Sequence, residues 1–216
     1  MLGVTIEKGR SLKVMCLGAH CDDIEIGCGG TLLSLLGKYK RAEVYWVVFS
    51  SDSRRGKEAK SSANKFLKQA GRKTTEIKKF QNGFFPYVGG DIKEFFEELK
   101  GSFSPDLIFT HYRNDLHQDH RTISELTWNT FRDNFILEYE IPKYDGDIGT
   151  PNFFVPLEFS ICKRKINTIL KSFLTQGEKH WFTEDLLFSL MRIRGMESVS
   201  PTKYAEAFYC RKTVLK

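Results

Sequence analysis

Apolar residues occur in this chain as short runs separated by polar segments that contain glycine. Residues 12–18 (LKVMCLG) form the first run. It is too short for a typical helix and closes on a glycine, which predicts a buried strand. Residues 31–37 (TLLSLLG) predict a helix ending at Gly37, and residues 43–49 (EVYWVVF), rich in β-branched and aromatic side chains, predict a second strand. The alternation continues with a helix over 57–70 stopped by Gly71, a strand over 74–80, a helix over 91–100 and a strand over 106–110 (DLIFT) behind Pro105. Such an order predicts a parallel sheet covered by helices on both faces and joined by right-handed crossovers. The second half is less regular. It predicts strands over 138–142 and 153–159, helices over 162–173 and 184–195, and a closing strand over 205–211. No repeat or Pro/Gly/Ser-rich linker divides the chain, so a single domain over residues 1–216 is expected.

In sheets of this kind ligands bind beyond the carboxyl ends of the strands, where strand order reverses. Two polar clusters fall there: AHCDD (19–23) follows the first strand, and HYRNDLHQDH (111–120) follows DLIFT. Of the five histidines, His111, His117 and His120 stand in the second cluster and His20 beside Asp22 and Asp23 in the first; only His180 lies elsewhere. A catalytic zinc takes three His or carboxylate ligands and keeps one position open for water, whose pKa it lowers. A neighbouring carboxylate then serves as proton acceptor, and a further histidine as donor to a developing oxyanion. The plain alternative is that Asp22 and Asp23 cap the helix that follows them. His111 is expected as a strand-end histidine or as support for the site. GCGGT (27–31) lacks the full dinucleotide fingerprint, so its glycines are expected to fold a tight loop beneath the site.

Composition narrows the partners. With 41% hydrophobic and 28% charged residues the chain has the make-up of a folded, water-soluble domain. A net charge of +6 fits either a solvated basic surface or an attraction for anionic, phosphorylated or nucleotide-linked sugars. No DNA- or RNA-binding motif accompanies the basic residues, so nucleic acid is not an expected partner. Five cysteines without a CxxC pair point to reduced thiols. MLGVTIEKGR has no apolar leader core, and no apolar run approaches the roughly 20 residues of a membrane span. A cytoplasmic location without membrane contact is therefore expected.

AHCDDIEIGCGGT and HQDH together resemble the two signatures of the PIG-L/LmbE-type N-acetylglucosaminyl deacetylases, and the resemblance continues through RRGKEAKSSANKFLKQAG and RIRGMESVSPTKYAEAFYCRK. It implies an α/β, Rossmann-like three-layer fold with a mostly parallel sheet. It also implies one Zn²⁺ per chain held by His20, Asp23 and His120. Asp22 would be the catalytic base, His117 the group that polarises the acetyl carbonyl, Asp119 the residue that orients His117, and Arg55 a substrate contact. The implied reaction removes the N-acetyl group from an amino sugar or sugar conjugate, including a sugar nucleotide. Relatives of this kind form trimers or hexamers, which sets the expectation for homo-oligomers. The chain departs from the family pattern where prolines are usual: Cys21 follows His20 and Gln118 follows His117. Both changes release a φ constraint without removing a ligand or the base. A metal-dependent phosphoesterase and a non-catalytic sugar- or nucleotide-binding module remain open as alternatives on the residues alone.

Overall fold

A computed structural model describes residues 3–7 and 11–214; of the span 1–216 expected as one domain, residues 1, 2, 8–10, 215 and 216 lie outside the described ones. Seven strands form one sheet in the order β3-β2-β1-β4-β5-β7-β6. The first five are β1 (Lys13–Gly18), β2 (Glu43–Val48), β3 (Arg72–Ile77), β4 (Leu107–His111) and β5 (Phe135–Tyr139), all parallel. The last two are β6 (Phe153–Pro156) and β7 (Ala205–Tyr209), and β7 runs antiparallel to both of its neighbours. The α/β class with a mostly parallel sheet is thus the fold observed. Order reverses between β1 and β4, which pair directly through Val14–Leu107 and Cys16–Phe109. Both polar clusters leave the sheet at this switch point.

The strands read as continuous apolar runs because both faces are covered. On β1, Val14 and Cys16 pack into one core layer and Met15 and Leu17 into the other. The first layer packs against α1 (Asp23–Lys38), α2 (Ser53–Phe66), α5 (Phe159–Ser172) and α6 (Glu184–Glu197). The second takes α3 (Gly89–Ser102), whose Ile92, Phe95, Phe96 and Leu99 face Phe49, and α4 (Gln118–Thr130). Among the described residues no helix is long and apolar enough to cross a membrane.

Two expectations change. The helix expected from residue 31 begins at Asp23, so GCGG lies inside α1 and not in a loop. Its glycines serve close packing: a Cβ at Gly27 would stand 2.2 Å from the Tyr139 ring, and one at Gly30 would stand 2.6 Å from Leu157 Cδ1. The early start places Asp22 and Asp23 at a helix N-terminus. α4 was not expected at all, and it begins within HQDH. Other boundaries move by a few residues: β3 ends at Ile77, and β5 ends at Tyr139 instead of residue 142.

Candidate active site

Asp22 sits at the N-cap of α1, yet its side chain makes no capping hydrogen bond. Its Oδ1 accepts from Arg55 Nη2 at 2.8 Å. Arg55 is set by the start of α2, where the Asp52 carboxylate caps the helix by accepting from the N–H groups of Arg54 and Arg55. Asp23 Oδ2 accepts from His20 N at 2.6 Å. Plain helix capping therefore does not account for the Asp22 side chain.

The three expected ligands converge across the switch point. His20 Nδ1 lies 3.1 Å from His120 Nε2 and 3.4 Å from Asp23 Oδ2, and His120 Nε2 lies 3.6 Å from Asp23 Oδ2. Ligand atoms held at zinc bond lengths around a tetrahedral ion stand about 3.3 Å apart, so the donor set fits. Two overlapping groupings, His20/His117/His120 and Asp23/His111/His120, also come close enough to share an ion.

Each ligand histidine is turned by an acid behind it. His20 Nε2 faces Asp119 Oδ2 at 3.2 Å, and His120 Nδ1 faces Asp115 Oδ2 at 2.9 Å. These acids accept the far ring N–H and leave His20 Nδ1 and His120 Nε2 toward the centre, as carboxylate–histidine–metal sites require. Burial disfavours charge on His20, but Asp23 and Asp119 outweigh it and hold the ring's pKa up at about 10. Burial and the neighbouring His111 push His120 down to about 3. His20 Nδ1 and His120 Nε2 face each other across 3.1 Å, the two ring nitrogens that would hold a cation together. Burial of Asp23 is outweighed by the three histidines around it, which keep it ionised.

Asp119 differs from its expected role. Its carboxylate contacts His20 and accepts from Gly83 N and Phe85 N. Its link to His117 runs instead through its backbone N–H, which donates to His117 Nδ1 at 3.2 Å. That bond leaves the proton of a neutral His117 on Nε2, and burial and the His20 charge keep His117 below its ordinary pKa. Asp22 is raised by burial, Arg55 draws it partly back, and Asp23 pushes it further up.

Several participants went unassigned in the sequence. Asp115 stands in the NDLHQDH run, and Lys143 Nζ lies 3.0 Å from its Oδ2. His111 touches the site more closely than a strand-end histidine need: its Nε2 accepts from Ala19 N and stands 3.1 Å from Asp23 Oδ2. Cys21 turns away, with Sγ toward Ser50 O, and burial raises its thiol to about 12. Arg194 is structural, forked onto Glu140 and Glu197. A cavity of about 170 Å³ opens onto the site, walled by His20, Asp22, Asp23, Arg55, His117 and His120. Its remaining lining includes Asn82, Ile141–Lys143, Gln176 and Trp181, for which the sequence carried no distinguishing signal.

The fold recurs in solved structures. N,N'-diacetylchitobiose deacetylase from Pyrococcus horikoshii matches with a TM-score of 0.69 at 21% identity, over 92% of this chain and 83% of that one. The conserved protein TT1542 from Thermus thermophilus matches at 0.75 and 18% identity, over 95% and 97%. GalB, a 4-carboxy-2-hydroxymuconate hydratase from Pseudomonas putida KT2440, matches at 0.71 and 14% identity, over 95% and 98%. A deacetylase and a hydratase share this architecture, so these likenesses speak to fold alone. No curated protein sequence matches. The sequence model of the GlcNAc-PI de-N-acetylases matches residues 15–131, more than half of the chain and inclusive of both clusters. The chain belongs to the PIG-L family of GlcNAc-PI de-N-acetylases.

Proposed function

We propose that this protein is a zinc-dependent hydrolase that removes the N-acetyl group from an N-acetylated amino sugar or sugar conjugate, sugar nucleotides included. The observation that carries the reading is Asp22. It is a buried carboxylate that caps nothing, has raised proton affinity, and lines the same cavity as the converging His20, Asp23 and His120. A carboxylate in that position suits a general base.

His20, Asp23 and His120 would hold the metal, which when bound supplies Lewis-acid activation of water and of the acyl oxygen. Asp22 takes the proton of the attacking water, and Arg55 keeps its carboxylate aimed by ion pairing at 2.8 Å. His117, neutral and with Nε2–H free, donates to the carbonyl oxygen as negative charge gathers there. Asp22 then passes its proton to the departing nitrogen. The C–N bond breaks, and acetate and a free amine leave.

The test is acetate release from a panel of N-acetylated sugars and sugar nucleotides by zinc-loaded and chelator-stripped protein. Phosphate release is followed in the same preparations. Acetate from at least one sugar, lost on chelation and restored by zinc, is the expected result. Phosphate release without acetate, or acetate release indifferent to chelation, overturns the proposal.

A further inference from the structure

Two charged side chains grip the main chain of α1 directly. Lys165 comes from α5 and Glu206 from β7, and they are only 2% and 4% exposed. Lys165 Nζ and Glu206 Oε1 pair at 2.6 Å. Lys165 Nζ also donates to Ile26 O at 2.6 Å. The Glu206 carboxylate accepts from two consecutive N–H groups of α1, Gly30 N at 2.8 Å on Oε1 and Thr31 N at 2.6 Å on Oε2. In a regular α-helix those N–H groups serve the carbonyls four residues back, Ile26 O and Gly27 O. The pair thus sets an anion on N–H groups and a cation on a carbonyl in the middle of a helix, a polarity otherwise met at helix ends. Gly30 makes room for it: a Cβ there would stand 2.9 Å from Glu206 Oε1.

The gripped segment leads straight to the chemistry. Ile26 N donates to Asp22 O at 3.1 Å and closes the first turn, while the carbonyl of the same residue is held by Lys165. Ile26 also lines both the cavity of the candidate active site and a smaller one bordered by Lys165 and Glu206. The proposed reaction uses neither member of the pair. Well-packed apolar residues often replace a buried ion pair without loss of stability, so stability alone is a poor reason for this one. A pair that bonds the main chain at three points fixes position.

We infer that Lys165 and Glu206 are positioning residues: they clamp α1 at Ile26, Gly30 and Thr31 and so set the place of the turn that carries Asp22 and Asp23. The inference rests on the reading of Asp23 as a metal ligand and Asp22 as the base. With the clamp gone, the Gly30 and Thr31 N–H groups return to Ile26 O and Gly27 O. The first turn then shifts, and Asp23 moves relative to His120.

The test compares wild type with the double variant Lys165→Met/Glu206→Leu, which leaves neither charge buried alone. Zinc affinity is measured by competition with a chromophoric chelator, stability by thermal unfolding of the metal-free proteins, and kcat and KM on a substrate from which the wild type releases acetate. The double variant is expected to unfold near the wild-type temperature. It should bind zinc at least about tenfold more weakly and lose kcat with KM little changed. A folded double variant with wild-type zinc affinity overturns the clamp, whatever its turnover. If the double variant does not fold, Gly30→Ala decides, because it keeps both charges and sets a methyl against Glu206 Oε1. Weaker zinc binding by folded Gly30→Ala upholds the clamp, and wild-type affinity overturns it. Wild-type protein that binds no zinc contradicts the metal-site reading instead, so the two failures are told apart.

Discussion

The two clusters meet at one centre but bring opposite electrostatics to it. The segment after β1 is acid-rich: Asp22 and Asp23 follow His20, and Asp23 and Asp119 hold a proton on that histidine up to about pH 10. The segment after β4 is histidine-rich, and burial beside His111 keeps His120 neutral down to about pH 3. The difference teaches what each side contributes. The first cluster supplies charge that calls for a cation and a base that can be tuned. The second supplies neutral imidazoles, each oriented from behind, His120 by Asp115 and His117 by the Asp119 backbone. Histidine and carboxylate ligands hold a metal only when deprotonated, so metal affinity should rise with pH.

Removing the second side's ligand has the largest expected effect. His120→Ala should lower acetate release at least about 10³-fold and abolish stoichiometric metal, as measured by elemental analysis of dialysed protein. Retained metal at full occupancy would contradict every one of the overlapping groupings, since all of them include His120. A subtler break is Asp115→Asn. It keeps an oxygen for the His117 N–H but puts an amide opposite His120 Nδ1. Metal affinity should fall about 10- to 100-fold in a competition titration with a chromophoric chelator; unchanged affinity would remove Asp115 from the site. The smallest effect sharpens the acid-rich side. Arg55 pulls the Asp22 carboxyl down against burial, so Arg55→Met should raise the pKa of Asp22. The base is active only when ionised. The acidic limb of the kcat/KM profile should therefore move to higher pH. A limb that stays put, or moves to lower pH, would mean that a different group titrates.

Much of this was legible from the chain. β1, β2 and β4 are buried on both faces and so announce themselves as apolar runs, and the clusters directly after β1 and β4 mark the switch point without further information. α4 escaped because its buried side carries Asp119, His120, Ser124, Thr127 and Thr130 alongside Ile123. Its apolar period is replaced by polar contacts such as Thr127 Oγ1 with Thr110 Oγ1 at 2.9 Å. The start of α1 was hidden for a related reason: glycines that signal a loop in isolation stand in a helix when Tyr139 and Leu157 press against it. Asp119's carboxylate was expected on His117 and lies on His20, a choice made by the path of the loop through Gly83 and Phe85.

The most direct test of the division of labour is Asp22→Asn, assayed for acetate release and for bound metal in the same sample. The side chain keeps its shape and its oxygen for Arg55 but cannot accept the proton of water. Acetate release should fall at least about 10³-fold while metal stays at the wild-type ratio per chain. Near wild-type turnover in a metal-loaded Asp22→Asn protein would contradict the account.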